Sequence, residues 1–188
     1  MAAWADEAAP WLPQTRCLLA VAVEAGVPVF GICLGAQLLA LATGGRVEPG
    51  AYGIEAGLSR IVPTVDGDGD PLMAALPVAG FAGAQGHHDA IVELPPDALL
   101  VATGTPYAHQ AFRLGPTAWG VQYHPEVTAD DFELWMRGDA DVVRATGLDP
   151  SVVAAAVRDA DEELDELAAA HAAAFLGVVS GSSVGTRR

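Results

Sequence analysis

The sequence contains no lysine, and its nine basic residues, all arginines, face 24 acidic ones, which gives a net charge of −15. A chain this acidic is a poor candidate for binding a nucleic-acid backbone or an anionic membrane. It also has no run of eighteen apolar residues, and its N-terminus has no basic region followed by an apolar one. We therefore predict neither a transmembrane helix nor a secretory signal.

Cysteine is almost as scarce, since Cys17 and Cys33 are the only two. Two cysteines do not make a disulfide framework and favour a reducing compartment, so we expect a cytoplasmic protein. No cluster of metal-ligand side chains and no phosphate-cradling glycine loop occurs in the sequence, so neither a metal nor a cofactor is predicted. Residues 66–71 resemble the start of a calcium loop, but the glutamate that closes such a loop is absent. We interpret them as a solvated surface turn.

The 188 residues, 52% of them hydrophobic and 18% charged, are enough for a globular domain with a sizeable core. A helix over 10–25, a nearly continuous apolar strand over 27–32 and a helix over 34–43 follow one another. This β-turn-α order is typical of an α/β protein with a mostly parallel sheet. Cys17 falls in the middle of the first helix and is interpreted as a core residue.

Downstream, glycine and proline recur between short apolar runs, which we interpret as short and partly antiparallel strands. These runs cover residues 58–62, 78–81, 90–94 and 98–102, and a hairpin joins 111–114 to 118–123. Thr128 can cap a helix that reaches about residue 137. A last helix opens at Asp149 and runs to about residue 176, with His171 on its apolar stripe.

The most informative stretch is the pentapeptide 31–35, Gly-Ile-Cys-Leu-Gly, between the first strand and the second helix. A nucleophile on a tight strand-to-helix turn is lifted out of the sheet, and the two glycines let other backbone segments pass close beside it. The turn also places the Cys33 side chain at a helix N-terminus, where the macrodipole favours a thiolate. The sequence therefore predicts an activated cysteine at the carboxyl edge of a parallel strand.

A cysteine nucleophile needs a base, and His124 is the candidate. It ends an apolar strand in the sequence Gln-Tyr-His-Pro-Glu at 122–126. In an extended chain, residues i and i+2 point to the same side, so Glu126 can hold one ring nitrogen of His124 and leave the other for the thiol. A free cysteine among apolar residues is commonly inert core, but the glycines, the turn and this histidine favour a nucleophile. His109 is interpreted as a loop residue.

With these motifs the chain resembles a class I, triad-type glutamine amidotransferase domain. The resemblance covers residues 1 to about 135 and rests on four segments, 31–37, 86–89, 110–112 and 120–126. Residues 55–57, Glu-Ala-Gly, also resemble the Glu-x-Gly segment that follows the nucleophile helix in this family. The resemblance implies a three-layer α/β fold with helices flanking the sheet. It also implies a catalytic triad of Cys33, His124 and Glu126 that hydrolyses glutamine through a cysteinyl γ-glutamyl thioester.

The same resemblance implies four substrate-binding positions. The amide of Leu34 would form half of an oxyanion hole, and Gln37 would help to hold the substrate. The backbone around Gly86 and His87 would contact the amino-acid end of glutamine. The side chains of residues 88–89 either belong to this site or are polar residues at a strand edge.

The chain departs from the family pattern at its beginning. The family fold normally starts with two further βα units, on the order of 60 residues, so we expect the N-terminal strands to be missing. One missing glycine would supply the other oxyanion-hole donor, and loss of one donor typically costs about 10² to 10³ in rate. We therefore expect a poor glutaminase whose nucleophile strand has an exposed edge. Three explanations stay open: a start site assigned too far downstream, which we favour, a fragment, or a partner chain that completes the sheet.

We predict an amidotransferase-like domain over 1–137, a C-terminal helical extension over 138–179 and a disordered tail over 180–188. The leading hypothesis is an amidotransferase that releases ammonia from glutamine for an acceptor bound by a separate chain. One alternative is a γ-glutamyl hydrolase that acts on a γ-glutamyl amine or peptide through the same thioester. Another is a degraded domain that serves only as a partner. Besides glutamine, the expected partners are a synthetase chain or a second copy of this chain, with no nucleic acid and no membrane.

Overall fold

The computed structural model describes residues 1–182 and has an α/β fold. Its helices are α1 (Leu12–Glu24), α2 (Leu34–Ala42), α3 (Ala129–Gly138), α4 (Ala140–Ala145), α5 (Pro150–Asp159) and α6 (Asp161–Ser182). Its strands are β1 (Val29–Ile32), β2 (Arg46–Pro49), β3 (Glu55–Pro63), β4 (Phe81–His87), β5 (Asp89–Glu93), β6 (Leu99–Thr103), β7 (Ala111–Leu114) and β8 (Ala118–Val121). The predicted β-turn-α unit is confirmed as β1 and α2, and the predicted hairpin as β7 and β8.

Six strands form one sheet in the order β1-β8-β7-β6-β3-β4, and β2 pairs with β5 in a separate two-stranded ribbon. Within the described residues only β1 and β8 run parallel, and the other pairs are antiparallel. The α/β class is therefore confirmed, but this sheet is mixed rather than mostly parallel. Connectivity is the reason, because a parallel pair needs a long crossover, whereas β6, β7 and β8 are joined by short connections that reverse the chain.

The parallel pair β1–β8 joins segments that are far apart in sequence. Val29 lies opposite Ala118 and Ile32 opposite Val121, so the two strands end side by side at the same edge of the sheet. The register continues past the strand ends, since the amide of Cys33 donates to the carbonyl of Val121 at 2.8 Å. In residues 1–182, β1 pairs on one side only, with β8. The sequence predicts this exposed edge for the strand that precedes Cys33.

Helices cover both faces of this sheet. On one face, α1, α2 and the β2–β5 ribbon enclose an apolar cluster that contains Leu39, Phe112 and Leu114. On the other face, α5 and α6 pack over a larger cluster that contains Trp119 and Tyr123. Burial of these apolar side chains is the main source of the fold's stability, and it fixes the position of the strand ends on which the candidate site is built.

The C-terminal region differs from the prediction in two ways. The single predicted helix is two helices, because the chain turns at Ala160, where φ is −100° and ψ is 10°. Both helices bury side chains in the same cluster, Val157 from α5 and Leu164 from α6, so the break lets each one follow the sheet. Helix α6 continues to Ser182, so residues 180–182 of the predicted tail are helical, while 183–188 lie outside the described residues. The division at residue 137 between a domain and an extension stays a prediction.

Two predictions about single residues are wrong. Cys17 is exposed rather than part of the core, because α1 packs through Leu12 and Leu19 on another side of the helix. Asp70, predicted to lie in a solvated turn, is only 2% exposed. Its carboxylate accepts a hydrogen bond from the indole of Trp119 at 3.1 Å and pairs with Arg113 at 3.2 Å. These long-range partners leave no signal in the local sequence.

The strand boundaries also differ in the middle of the chain. The run 78–81 does not form a strand; instead β4 begins at Phe81 and continues to His87. Strand β2 was not predicted, since its sequence of Arg-Val-Glu-Pro is mostly polar. It forms by pairing with β5, which supplies the hydrogen-bond partners for its backbone.

Helix α6 is long and apolar enough, over Asp161–Gly181, to cross a membrane by length and composition alone. However, it begins with three consecutive acidic residues and buries Leu164, Leu167 and His171 against the body of the protein. One helix of this kind is weak evidence for a membrane span, and α6 packs these side chains against the cluster on the sheet.

Candidate functional site

Cys33 lies on the turn between β1 and α2, at the edge where β1 and β8 end. Its backbone has φ 46° and ψ −104°, a conformation that residues other than glycine rarely adopt. Two hydrogen bonds hold this turn, one from the Cys33 amide to Val121 at 2.8 Å and one from the Gln37 amide to the Cys33 carbonyl at 3.0 Å. A strained residue that its surroundings fix in this way is typical of a functional site.

The two glycines that flank Cys33 have different roles. A Cβ at Gly31 would lie 2.7 Å from the backbone carbon and oxygen of Gly35, a distance that cannot be relieved by moving a side chain. A Cβ at Gly35 would meet nothing within 4 Å among the described residues. The expected close approach of two backbone segments is therefore found at Gly31, where there is no room for a side chain. Gly35 is the residue whose backbone lies against it.

We expect Gly31→Ala to lower the free energy of unfolding by about 2 kcal/mol, because the new methyl group forces β1 and α2 apart. Gly35→Ala is the matched control, and it should be neutral or stabilising by up to about 1 kcal/mol, since Gly35 lies in a helix. Urea denaturation of both variants measures the difference. Equal destabilisation by the two substitutions would show that the turn is not built around Gly31.

His124 stands beyond the end of β8, held by a hydrogen bond from its amide to the carbonyl of Ala84 at 2.8 Å. Its Nδ1 lies 2.7 Å from Oε1 of Glu126, which is the predicted i, i+2 contact. The imidazole and the Cys33 side chain line the same cleft. The ring also packs edge-on against Trp135, with ring centroids 4.7 Å apart. Cys33, His124 and Glu126 therefore lie together in the order that the sequence predicts.

The electrostatics of His124 follow from these neighbours. Burial of the imidazole acts to lower its pKa, but the neighbouring Cys33 and Glu126 side chains favour the charged ring, outweigh burial and raise the pKa to about 9. The imidazole is consequently protonated at neutral pH and can give a proton to a leaving group. Because this pKa lies above the ordinary value of 6.5, protonated His124 stabilises the fold fully below pH 6.5, and that contribution is lost as the pH rises through about 9.

We predict that the His124 ring titrates near pH 9 and that Glu126→Gln moves this titration to lower pH, because the substitution removes a negative charge that favours the imidazolium. NMR of the histidine ring protons between pH 5 and 11 measures it. Glu93→Gln removes an exposed carboxylate on β5 and serves as the control. An unchanged titration in Glu126→Gln would mean that this carboxylate does not act on the ring.

A cleft of about 200 Å³ opens beside the thiol, and we refer to it as the Cys33 cleft. Besides Cys33 and His124, all four predicted substrate-binding residues line it: Leu34, Gln37, Gly86 and His87. Leu34 is the first residue of α2, so its amide belongs to the first turn, where helical amides have no partner within the helix. His88, Asp89 and Trp135 also line the cleft.

Two of these side chains are tied into the wall of the cleft. Gln37 is 3% exposed, and its Nε2 donates to the carbonyl of Asp89 at 2.9 Å and to Oε1 of Gln122 at 3.2 Å. His87 is also 3% exposed, with Nδ1 2.9 Å from the same carbonyl and Nε2 3.0 Å from a carboxylate oxygen of Glu55. Both ring nitrogens of His87 thus face acceptors, so its side chain is fixed in the wall of the cleft.

Sequence reasoning missed two residues next to Cys33 and His124. Trp135 on α3 packs on His124, and Gln122 lies 3.5 Å from the sulfur of Cys33. A tryptophan on an amphipathic helix is normally taken for core, so nothing local marked Trp135. Gln122 carried a weak signal, because a glutamine that ends an apolar strand must find partners for its amide when it is buried.

A larger groove of about 650 Å³ lies between α3, α4 and α5. Arg137, Arg144 and Arg158 line it, and each pairs with a nearby carboxylate. Neither the cysteine nor the histidine described above borders it. The smaller Cys33 cleft is therefore the candidate site, although the groove is more spacious.

Comparisons with known proteins agree with this geometry. The family model described as Glutamine amidotransferase class-I matches residues 9–136. One subunit of a glutamine-hydrolysing GMP synthase from Haloarcula marismortui is 39% identical over 106 residues, which cover 56% of this chain and 54% of that protein. A gamma-glutamyl-L-1-hydroxyisopropylamide hydrolase from a Pseudomonas species is 32% identical over 133 residues, or 63% of this chain and 42% of that protein. The chain thus spans about half the length of the curated relatives it matches.

Solved structures extend the likeness to the fold. A glutamine amidotransferase from Thermotoga maritima has a TM-score of 0.79 and 27% identity, covering 95% of this chain and 74% of that one. A glutamine amidotransferase from Methylobacillus flagellatus has a TM-score of 0.73 and 25% identity, covering 90% of this chain and 70% of that one. Coverage this high takes in much of the C-terminal helical region as well as the sheet.

Proposed function

Since this chain belongs to the class I glutamine amidotransferase family, we propose that it hydrolyses the side-chain amide of glutamine and releases ammonia. The observation that carries the proposal is that the Cys33 thiol shares one cleft with a histidine that Glu126 contacts at 2.7 Å. Nucleophile, base and orienting carboxylate in this order are the parts that acyl transfer requires. A cleft of about 200 Å³ beside them has room for a single small amino acid.

In the acylation step, the Cys33 thiolate attacks the amide carbon of glutamine, and the carbonyl electron pair moves onto its oxygen. The amide of Leu34 donates to that oxygen from the first turn of α2. The intermediate collapses when the carbon–nitrogen bond breaks, and the imidazolium of His124 gives its proton to the departing nitrogen. Ammonia leaves, and a γ-glutamyl thioester remains on the sulfur.

In the deacylation step, water attacks the thioester carbon while His124, now neutral, takes a proton from that water. The carbon–sulfur bond then breaks, and its electron pair stays on the sulfur of Cys33 as a thiolate. Glutamate leaves, and the imidazolium–thiolate pair is restored. Glu126 holds one ring nitrogen throughout, so the other keeps facing the reacting atoms.

The polarity of Gln37 limits what it can offer a substrate. Both hydrogens of its Nε2 are used, on the Asp89 carbonyl and on Gln122. The remaining Oε1 is an acceptor, so Gln37 would accept from an N–H of glutamine, either its side-chain amide or its ammonium group. The backbone of Gly86 and His87, across the Cys33 cleft, would contact the amino-acid end of the same molecule.

The acceptor of the ammonia would be bound by a separate chain. Support for this comes from the relatives that are named as one subunit of a glutamine-hydrolysing GMP synthase, because a protein named as a subunit works with at least one further chain. A synthetase chain is thus the proposed partner, and association with a second copy of this chain and a cytoplasmic location stay predictions.

A second candidate is the hydrolysis of a γ-glutamyl amine, supported by the 32% identity to a gamma-glutamyl-L-1-hydroxyisopropylamide hydrolase. The thioester step is the same, and only the leaving group is larger. Trp135 and His88, which line the Cys33 cleft, are the side chains that a larger leaving group would have to pass or contact.

A rate comparison tests the function and separates the two candidates. We expect the chain to release ammonia from glutamine with a higher kcat/KM than it releases isopropylamine from γ-glutamyl isopropylamide, because the cleft is small. Cys33→Ala should lower either rate by at least about 10³-fold, and Cys17→Ala, the other cysteine, should leave both rates unchanged. Faster turnover of the amine would favour the second candidate, and activity that survives Cys33→Ala would contradict both.

A further inference from the structure

Gln122 occupies the position directly after β8 and is 1% exposed. Its backbone amide donates to the carbonyl of Gln110 at 2.8 Å, so the side chain starts from a fixed point. That side chain reaches between two residues of the Cys33 cleft, with Nε2 3.5 Å from the sulfur of Cys33 and Oε1 3.2 Å from Nε2 of Gln37. Neither contact is between neighbours in sequence, since Gln122 is 85 positions from Gln37 and 89 from Cys33.

The orientation of the Gln122 amide follows from its partners. The carbonyl of Asp89 can only accept, so the atom of Gln37 that faces it at 2.9 Å must be the amide nitrogen. The second hydrogen of that nitrogen then requires an acceptor, which fixes Oε1 of Gln122 on that side. The nitrogen of Gln122 is left facing the sulfur. A chain of hydrogen bonds thus runs from the carbonyl of Asp89 through Gln37 to Gln122. It makes the sulfur of Cys33 a hydrogen-bond acceptor.

We propose that Gln122 is a further catalytic group, which donates a hydrogen bond to the Cys33 sulfur and thereby favours the thiolate. A hydrogen bond to a charged acceptor is stronger than one to a neutral acceptor, so the contact gains strength whenever the sulfur carries the charge. The sulfur is negatively charged twice in the proposed cycle, before it attacks the amide and after the thioester breaks. The hydrogen bond from Gln122 to the sulfur before attack needs no substrate. Its action after the thioester breaks rests on the proposed glutamine hydrolysis.

Alkylation by iodoacetamide tests the proposal without any substrate. We expect Gln122→Met, which keeps the volume but removes the donor, to slow alkylation of Cys33 about tenfold at neutral pH. The deficit should shrink as the pH rises and vanish at alkaline pH, where thiols ionise without assistance. A purely structural loss would not give this pH profile. The exposed Cys17 is an internal reference, since peptide mass spectrometry reports both cysteines in one sample.

Gln85→Met is the matched control. Gln85 is another fully buried glutamine, and it donates to Gln110 at 2.9 Å instead of to the nucleophile. The Gln85→Met substitution removes a comparable amide from the interior. It should leave the pH profile of Cys33 alkylation unchanged. Gln122→Asn is a second test variant for the case in which Gln122→Met does not fold, because asparagine keeps an amide but is one methylene too short to reach the sulfur.

A wild-type pH profile of Cys33 alkylation in either folded Gln122 variant would overturn the proposal. So would an equal effect of Gln85→Met, because the response would then report loss of a buried amide in general. Slow alkylation in the Gln122 variants, together with no ammonia release by the unaltered chain, would uphold Gln122 as a donor and count against glutamine hydrolysis. The two proposals therefore fail separately.

Discussion

The in-register parallel pairing of β1 with β8 is the constraint on which the candidate site depends. Because Ile32 lies opposite Val121, the residues that follow each strand emerge at the same edge, and Cys33 and Gln122 become neighbours. His124 comes two residues later and lines the same cleft as Cys33. A shift of one residue in this register would turn the side chains of one strand to the opposite face and separate Cys33 from His124.

The residues of the candidate site could be selected from the sequence because the motifs that mark them are local. A glycine-flanked cysteine between a strand and a helix defines the turn, and the spacing of His124 and Glu126 defines their contact. What the sequence could not reveal depends on partners that are distant in the chain. The burial of Asp70 requires Trp119 and Arg113, the exposure of Cys17 depends on which side of α1 meets the body, and the break before α6 has no glycine or proline to mark it.

The wall of the Cys33 cleft combines an apolar framework with a buried polar network. Gln37 and His87 both bond to the carbonyl of Asp89, Gln122 accepts from Gln37, and Glu55 contacts the other ring nitrogen of His87. Each buried polar group that is satisfied in this way holds its neighbour in one orientation, whereas an unsatisfied one would be costly. The network thus gives the cleft a defined polarity: a donor directed at the sulfur and, in the proposed mechanism, an acceptor on Gln37 for the substrate.

Covalent trapping tests the central claim most directly, namely that residue 33 captures the acyl group of glutamine. The chain is incubated with a glutamine analogue that carries an electrophilic carbon in place of the side-chain amide, and the adduct is located by peptide mass spectrometry. We predict one adduct per chain, on Cys33, with protection by an excess of glutamine and loss of labelling in His124→Ala. Labelling of the exposed Cys17 at the same rate, or an adduct on Cys33 that glutamine does not prevent, would contradict the account.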